Sequence, residues 1–138
     1  MKITVKNLQK KIPVNPKRIK KTILNVFSGE GRKGPGEITV SFVTDKKIRG
    51  LNSAYCGKNV PTDVLAFDIS GPKGGHFVAD IIISADTALR NAGIFKTRPA
   101  CELNLYAIHA ALHLLGYDDS TLRQRRLMRK KEKKYANP

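Results

Sequence analysis

Cysteine is scarce in this 138-residue chain: Cys56 and Cys101 are its only two. Two cysteines build no disulfide framework, and their spacing matches no zinc motif. Both are expected to be reduced thiols, and Cys101, beside helical apolar residues, is expected in the core. No apolar run approaches the roughly 18 residues of a membrane-spanning helix. Met1-Lys-Ile-Thr-Val5 is strand-like and lacks the apolar core of a signal peptide, so a cytoplasmic location is expected. Internal repeats and linker-like composition are missing too. The length suffices for one hydrophobic core, and a single domain over residues 1–138 is expected.

Acidic residues are also few. Eleven Asp and Glu stand against 26 Lys and Arg, a net charge of +15. A small domain so charged attracts polyanions, nucleic acid first among them. The plain alternative is solubility and non-specific adhesion. Much of the excess lies in Lys10 to Lys21 and in Arg123 to Lys134. The second stretch reads as a basic C-terminal helix or tail with a solvated face. It can touch phosphate through residues such as Arg123, Arg126 and Lys130, but charge alone reads no sequence.

What is present is a regular alternation of strand and helix signals. Lys2 to Lys6 alternates as a first strand. Asn15-Pro16 opens a helix whose apolar face is Ile19, Ile23, Val26 and Phe27. Gly29 to Gly36 is a loop; its Gly29, Gly31, Gly34 pattern is a weak phosphate-loop signal because no strand precedes it. Glu37 to Val43 is a strand, and Asp45 can cap a short helix bearing Ile48, Leu51 and Tyr55. A loop over Gly57 to Asp63, in which Thr62 and Asp63 are expected to satisfy turn amides, leads into a strand over Val64 to Ile69. Ser70 to Gly75 is a turn, where His76 is expected to be exposed. Phe77 to Ile83 ends in the apolar run of a buried strand. Ser84 caps a helix through Ala92, Pro99 opens a long helix, and Asp119 or Ser120 opens the last one. The expected fold is α/β (α+β), one mixed four-stranded sheet flanked by helices, the strand count resting on the resemblance given below.

Two of only three histidines, His109 and His113, sit near the end of the long helix. Positions i and i+4 lie roughly 40° apart around a helix, so both imidazoles leave on one face. Gly116 permits a left-handed exit that can swing Asp119 back toward them. Two histidines, a carboxylate and an open position describe a catalytic metal site, and a helix C-terminus favours a cation. The bland reading stands beside it. Leu105, Ile108, Leu112 and Leu115 form a core stripe, the histidines can be boundary residues beside Glu102 and Tyr106, and Asp119 can be a helix cap.

Four segments together resemble the YbeY family of bacterial endoribonucleases: Asn52-x-x-Tyr55, Pro61-Thr-Asp-Val-Leu-x-Phe67, Asp80-Ile-Ile-Ile-Ser84 and His109-x-x-x-His113-Leu-x-Gly116-Tyr117-Asp118. The resemblance covers roughly residues 37 to 128. It implies a cytoplasmic metalloprotein that matures rRNA, notably the 3′ end of small-subunit rRNA, and serves ribosome quality control. The implied partners are rRNA, the small subunit and one of its ribosomal proteins. The implied cofactor is one zinc ion per chain, held in the family by three histidines of HxxxHxxxxxH. His109 and His113 fall at the first two of those positions and Asp119 at the third. A second departure is Cys56, where the family usually carries an Arg thought to stabilise charge on phosphate. Lys58 is close in sequence and is a candidate for that role and for RNA contact. Ala79, where the family often has Gly, is a minor difference.

The implied reaction is phosphodiester hydrolysis of single-stranded RNA. Ala110 follows His109 where metalloproteases carry a Glu base. Asp118 is the nearest candidate, with support of the site or turn formation as its other roles; a ribose 2′-hydroxyl could also be the nucleophile. Three readings stay open: a metal-dependent endoribonuclease, a non-catalytic ribosome-associated RNA-binding metalloprotein, and a metallohydrolase with another substrate, which the charge disfavours.

Overall fold

The computed structural model describes residues 1–32, 34–71 and 76–136. The chain runs β1 (Lys2–Asn7), α1 (Pro16–Gly29), β2 (Gly36–Val43), α2 (Asp45–Cys56), β3 (Val64–Asp68), β4 (Phe77–Ser84), α3 (Ala85–Phe95), α4 (Pro99–Leu114) and α5 (Leu122–Ala136). Parts of two expected segments, the loop over 29–36 and the turn over 70–75, lie outside the described residues. The helix starts follow side-chain chemistry. Asn15 accepts a hydrogen bond from the Arg18 amide with Pro16 behind it, and Ser84 accepts one from Thr87 at 3.1 Å.

Three local expectations are corrected. The cap of α2 is Thr44 rather than Asp45. Asp45 instead accepts hydrogen bonds from Ser84 (2.6 Å), Thr87 (3.1 Å) and Arg90 (2.6 Å), tying the starts of α2 and α3 together. The first helix of that pair therefore begins with Asp45 facing a partner helix, and the neighbouring hydroxyl takes over as cap. Helix α3 runs past Ala92 to Phe95, ending at Lys96 in a left-handed conformation. Cys101 is exposed, because the buried face of α4's first turn is Glu102, Leu103 and Asn104.

The sheet order is β1-β2-β4-β3. Strands β1, β2 and β4 run parallel, and β3 returns antiparallel along β4, with Ala66 opposite Ile81. Strand β3 is thus a half-buried edge, not a central strand, and it ends at Asp68. Ile38, Val40, Phe42, Ile81 and Ile83 have at most 1% exposure in the two inner strands. Helix α4 lies at the centre, packed on α1, α3, α5, β3 and β4. Its buried set includes Leu103, Tyr106, Ala107, Ile108, Ala110, Ala111 and Leu112, whereas Leu105 and Leu115 are only partly buried. A helix surrounded by neighbours is apolar on more than one stripe, and small alanines let those neighbours approach.

The basic helix α5 has an inner face that charge counting hides. Met128 is 2% exposed, and Lys131, Glu132 and Tyr135 are partly buried at helical spacing. Glu30, at the end of α1, receives that face: its carboxylate accepts hydrogen bonds from the hydroxyls of Tyr117 and Tyr135 and from Lys131 at 3.2 Å. A Cβ on Gly29 would lie 2.5 Å from the Tyr135 hydroxyl, so α1 ends on glycine where α5 comes close. Burial of Glu30 alone would raise its pKa, but the Tyr117, Tyr135 and Lys131 donors outweigh it and lower the value from 4.5 to about 2.

A carboxylate whose folded pKa is depressed adds stability above its unfolded pKa and loses it as pH falls through the folded one. Glu30→Gln is therefore expected to cost about 1.5–3 kcal/mol at neutral pH, the range for hydrogen bonds to a charged group. The variant's acid-unfolding curve should be flatter than the parent's between pH 4.5 and about 2. Denaturant titrations across that range measure the difference. Parallel pH profiles for the two proteins would mean that Glu30 contributes no ionisation-linked stability.

Candidate metal centre

Helix α4 ends in a Schellman turn. The Tyr117 amide donates to Leu112 O and the Gly116 amide to His113 O, both at 3.0 Å. Gly116 carries φ +100° with nothing within 4 Å of an added Cβ, so backbone conformation rather than space calls for glycine. The turn directs the chain back across the end of the helix, where Tyr117 is anchored on Glu30. Asp118 accepts from the Asp119 amide at 2.9 Å, which holds the Asp119 backbone in the turn.

The rival role for Asp119 falls elsewhere. Thr121 accepts from the Gln124 amide at 3.1 Å, and Gln124 Oε1 accepts from the Ser120 and Thr121 amides at 3.0 and 2.9 Å. That reciprocal pair is a capping box. Thr121 is the cap of α5, and neither Asp119 nor Ser120 fills that position. The Asp119 side chain is left free to face the histidines.

His109 Nε2 and His113 Nε2 are 3.0 Å apart, and Asp119 Oδ2 lies 3.5 Å from each. Among the described residues this is the group of His, Cys, Asp and Glu whose donors lie close enough together to hold a metal ion. The donor set fits one. Ligand bonds of about 2.0–2.2 Å arranged tetrahedrally put donor atoms roughly 3.3–3.6 Å apart, which the two distances to Asp119 match and the two imidazole nitrogens approach from slightly closer. Two bare imidazole lone pairs at this distance repel, and a proton or a cation relieves them. The three donors close one side of such a site and leave the other open to solvent, with the Asp119 side chain 43% exposed.

Sequence reasoning missed Glu132. Its carboxylate lies 3.5 Å from His109 Nδ1, on the side away from Asp119, and the side chain is only 15% exposed. Burial pulls the His109 pKa down, but Glu132 first, then Asp63 and Asp119, more than offset it and leave the imidazole raised above its ordinary value. A carboxylate on Nδ1 favours the tautomer that keeps Nε2 as the free donor. The signal was present: Glu132 is the one acid in the basic run from Arg123 to Lys134, on the helix face that also carries Met128.

The trio opens into a cleft of about 560 Å³, lined further by Cys56, Thr62 to Phe67, Ala110 and Gly116 to Asp118. Asp63 accepts from the Val64 amide at 2.8 Å and its carbonyl takes the Ser84 amide, so it pins the start of β3 beside the cleft. The structure brings Cys56 and Asp118 to this lining, but not Lys58, Arg123, Arg126 or Lys130. Lys58 is exposed beyond the end of α2; Arg123, Arg126 and Lys130 are exposed at helical spacing on the outer face of α5. His76 is exposed, 3.8 Å from Glu37.

A family model described as Endoribonuclease YbeY matches residues 4–138. An Endoribonuclease YbeY of Pelotomaculum thermopropionicum is 35% identical over 141 aligned positions, covering 96% of this chain and 93% of that protein. The Moorella thermoacetica protein of the same name is 35% identical over 88% of this chain and 86% of its own. An Anaeromyxobacter relative reaches 41% identity over 75% of this chain, a match that spans only 55% of that longer protein. A solution structure from Thermotoga maritima superposes with a TM-score of 0.64 at 26% identity, over 97% of this chain and 86% of that one.

Two pairs of variants separate ligand from scaffold. Asp119→Ala is expected to weaken metal binding while leaving metal-free stability nearly unchanged, whereas Thr121→Ala should cost about 0.5–2 kcal/mol of stability with or without metal. Thermal unfolding with and without chelator reads both; an equal loss for Asp119→Ala in the two conditions would make it purely structural. Glu132→Gln should lower metal affinity about 10–100-fold, and chelator competition measures that loss against Glu132→Asp, which keeps the charge.

Proposed function

The chain belongs to the YbeY family of endoribonucleases, and from that premise we propose that it is a metal-dependent endoribonuclease that cuts single-stranded RNA during rRNA maturation. The observation that carries this is the triangle of His109, His113 and Asp119 donors, 3.0 to 3.5 Å on a side, open to a cleft in a chain of net charge +15. The metal is zinc, one per chain: two imidazoles and a carboxylate suit it. The substrate is rRNA near the small-subunit 3′ end, and a small-subunit ribosomal protein is the partner that brings the enzyme there. The place of action is the cytoplasm; no helix among the described residues is long and apolar enough to cross a membrane.

A divalent cation at this position supplies positive charge to a phosphate oxygen and acidifies water. His109 and His113 present Nε2 and Asp119 presents Oδ2. Glu132 orients His109 from behind. Asp119, being anionic, lowers the net positive charge of the site by one compared with three neutral imidazoles. Asp118 shapes the turn through its bond to the Asp119 amide. Lys58, Arg123, Arg126 and Lys130 engage phosphates outside the cleft.

A second reading has one observation in its favour. Cys56 lines the cleft, and among the described residues no Lys or Arg does. A thiol has neither the charge nor the donor fork of a guanidinium, so transition-state charge on phosphate is less well met and the chain can serve as an RNA-binding metalloprotein with weak or no catalysis. Cleavage of single-stranded and duplex RNA by purified protein, with chelator and His113→Ala as controls, decides between the two. We expect slow, chelator-sensitive cleavage confined to single strands. Removal of one electrostatic donor typically costs about 10²–10³ in rate, so Cys56→Arg should cleave at least ten-fold faster at unchanged metal content. Metal-loaded protein that binds RNA and never cuts it, in either form, supports the second reading.

A further inference from the structure

The cleft that holds the donor triangle has an unusual lining for a protein of this charge. Its ionisable groups are His109, His113, Asp63, Tyr117, Asp118, Asp119 and Cys56, and among the described residues no Lys or Arg side chain belongs to it. Away from the donor triangle, a phosphate entering the cleft meets carboxylates and apolar surface. Attraction there falls instead to the side along β3, where Val64, Leu65, Ala66 and Phe67 contribute to the lining.

Phe67 is not alone. The Tyr55 ring, from the last turn of α2, packs on it with centroids 5.7 Å apart and planes tilted by 54°. Tyr55 is 71% exposed, among the largest exposures of any apolar or aromatic side chain described. The next residue, Cys56, is itself in the lining. A continuous aromatic surface therefore runs from inside the cleft at Phe67 out to solvent at Tyr55. Two edge-held rings with a broad free face make a platform on which a flat heterocycle stacks, and base–aromatic stacking needs no sequence-specific hydrogen bonds.

We propose that Tyr55 and Phe67 form a nucleobase-stacking subsite at the rim of the metal cleft, which takes an unpaired base adjacent to the phosphate under attack. The proposal rests on the ribonuclease reading and gives it a structural basis for strand selection. A base within a duplex is already stacked on its neighbours and cannot reach such a platform, whereas a single strand can turn one base onto it. The other phosphates of the strand run outside the cleft, toward the exposed basic residues, so charge holds the strand and the rings fix its register.

The test uses the full chain and a short single-stranded oligoribonucleotide carrying 2-aminopurine, with chelator present so that nothing is cut. Tyr55→Ala changes a mostly exposed side chain and is expected to fold normally, which circular dichroism checks. Binding should weaken about ten-fold, the scale of one lost base–aromatic stack, and the 2-aminopurine quenching seen with the parent protein should disappear. Tyr55→Phe should restore both. On an oligonucleotide with an abasic site in place of the stacked base, parent and Tyr55→Ala should bind alike. In the metal-loaded enzyme, the loss should appear in KM with kcat little changed. Unaltered affinity and quenching in Tyr55→Ala, or an equal loss on abasic RNA, overturns the subsite while leaving the ribonuclease reading intact. A parent protein that binds no single-stranded RNA at low salt overturns that reading itself, and the subsite with it.

Discussion

Everything at the functional end of this molecule depends on the burial of helix α4. The helix is wedged between the sheet and three other helices, with Ala107, Ile108, Ala110, Ala111 and Leu112 fully buried. Fully burying one large aliphatic side chain is worth about 1.5–3 kcal/mol, so several of them fix the rotation of the helix about its axis. That rotation is what decides where His109 and His113 emerge. A helix free to turn could not hold two imidazole nitrogens 3.0 Å apart at the floor of a cleft; one locked by neighbours on most of its circumference can. The third donor then follows from a turn that begins where the helix stops, with Gly116 at φ +100° reversing the chain.

Acidic residues are few, and those described are placed with economy. Glu30 gathers Tyr117, Tyr135 and Lys131 and so fastens α5 and the turn after α4 to the end of α1. Asp45 and Asp86 join the starts of α2 and α3, Asp86 accepting from the Asp45 amide at 2.7 Å and from Lys11 at 2.5 Å. Glu132 and Asp119 flank His109 on opposite ring nitrogens. In a chain of net charge +15 these contacts concentrate negative charge at the cation site and inside the scaffold. Among the described residues the positive surplus stays on outer faces, where it is accessible to a polyanion. The cleft itself is lined by histidines and carboxylates on one side and by the apolar and aromatic side chains of β3 on the other.

Much of the architecture was legible before any coordinates. Asn15-Pro16, Ser84 and Pro99 announce helix starts by chemistry that acts within a few residues, and the alternation of Ile38, Val40 and Phe42 announces a strand with one buried face. The candidate trio could be written down as well, since His109 and His113 share a face by helical geometry alone. Local rules failed where a distant element intervened. Asp45 looked like a cap until a helix start some forty residues away offered Ser84, Thr87 and Arg90. Cys101 looked like core because apolar residues flank it, yet only the packing of the helix says which side faces out.

By itself the sequence determined the order of elements, the mixed α/β class, the polyanion-seeking charge and the face shared by the two histidines, because each of these depends on residue type and short-range periodicity. Only the tertiary structure decided that Glu132 comes from a basic helix to stand behind His109, and that Cys56, Phe67 and the donor triangle share one cleft. Those outcomes rest on contacts between residues far apart in the chain. Such contacts are set by how helices rotate and dock when they bury their apolar faces together, and no local pattern encodes that.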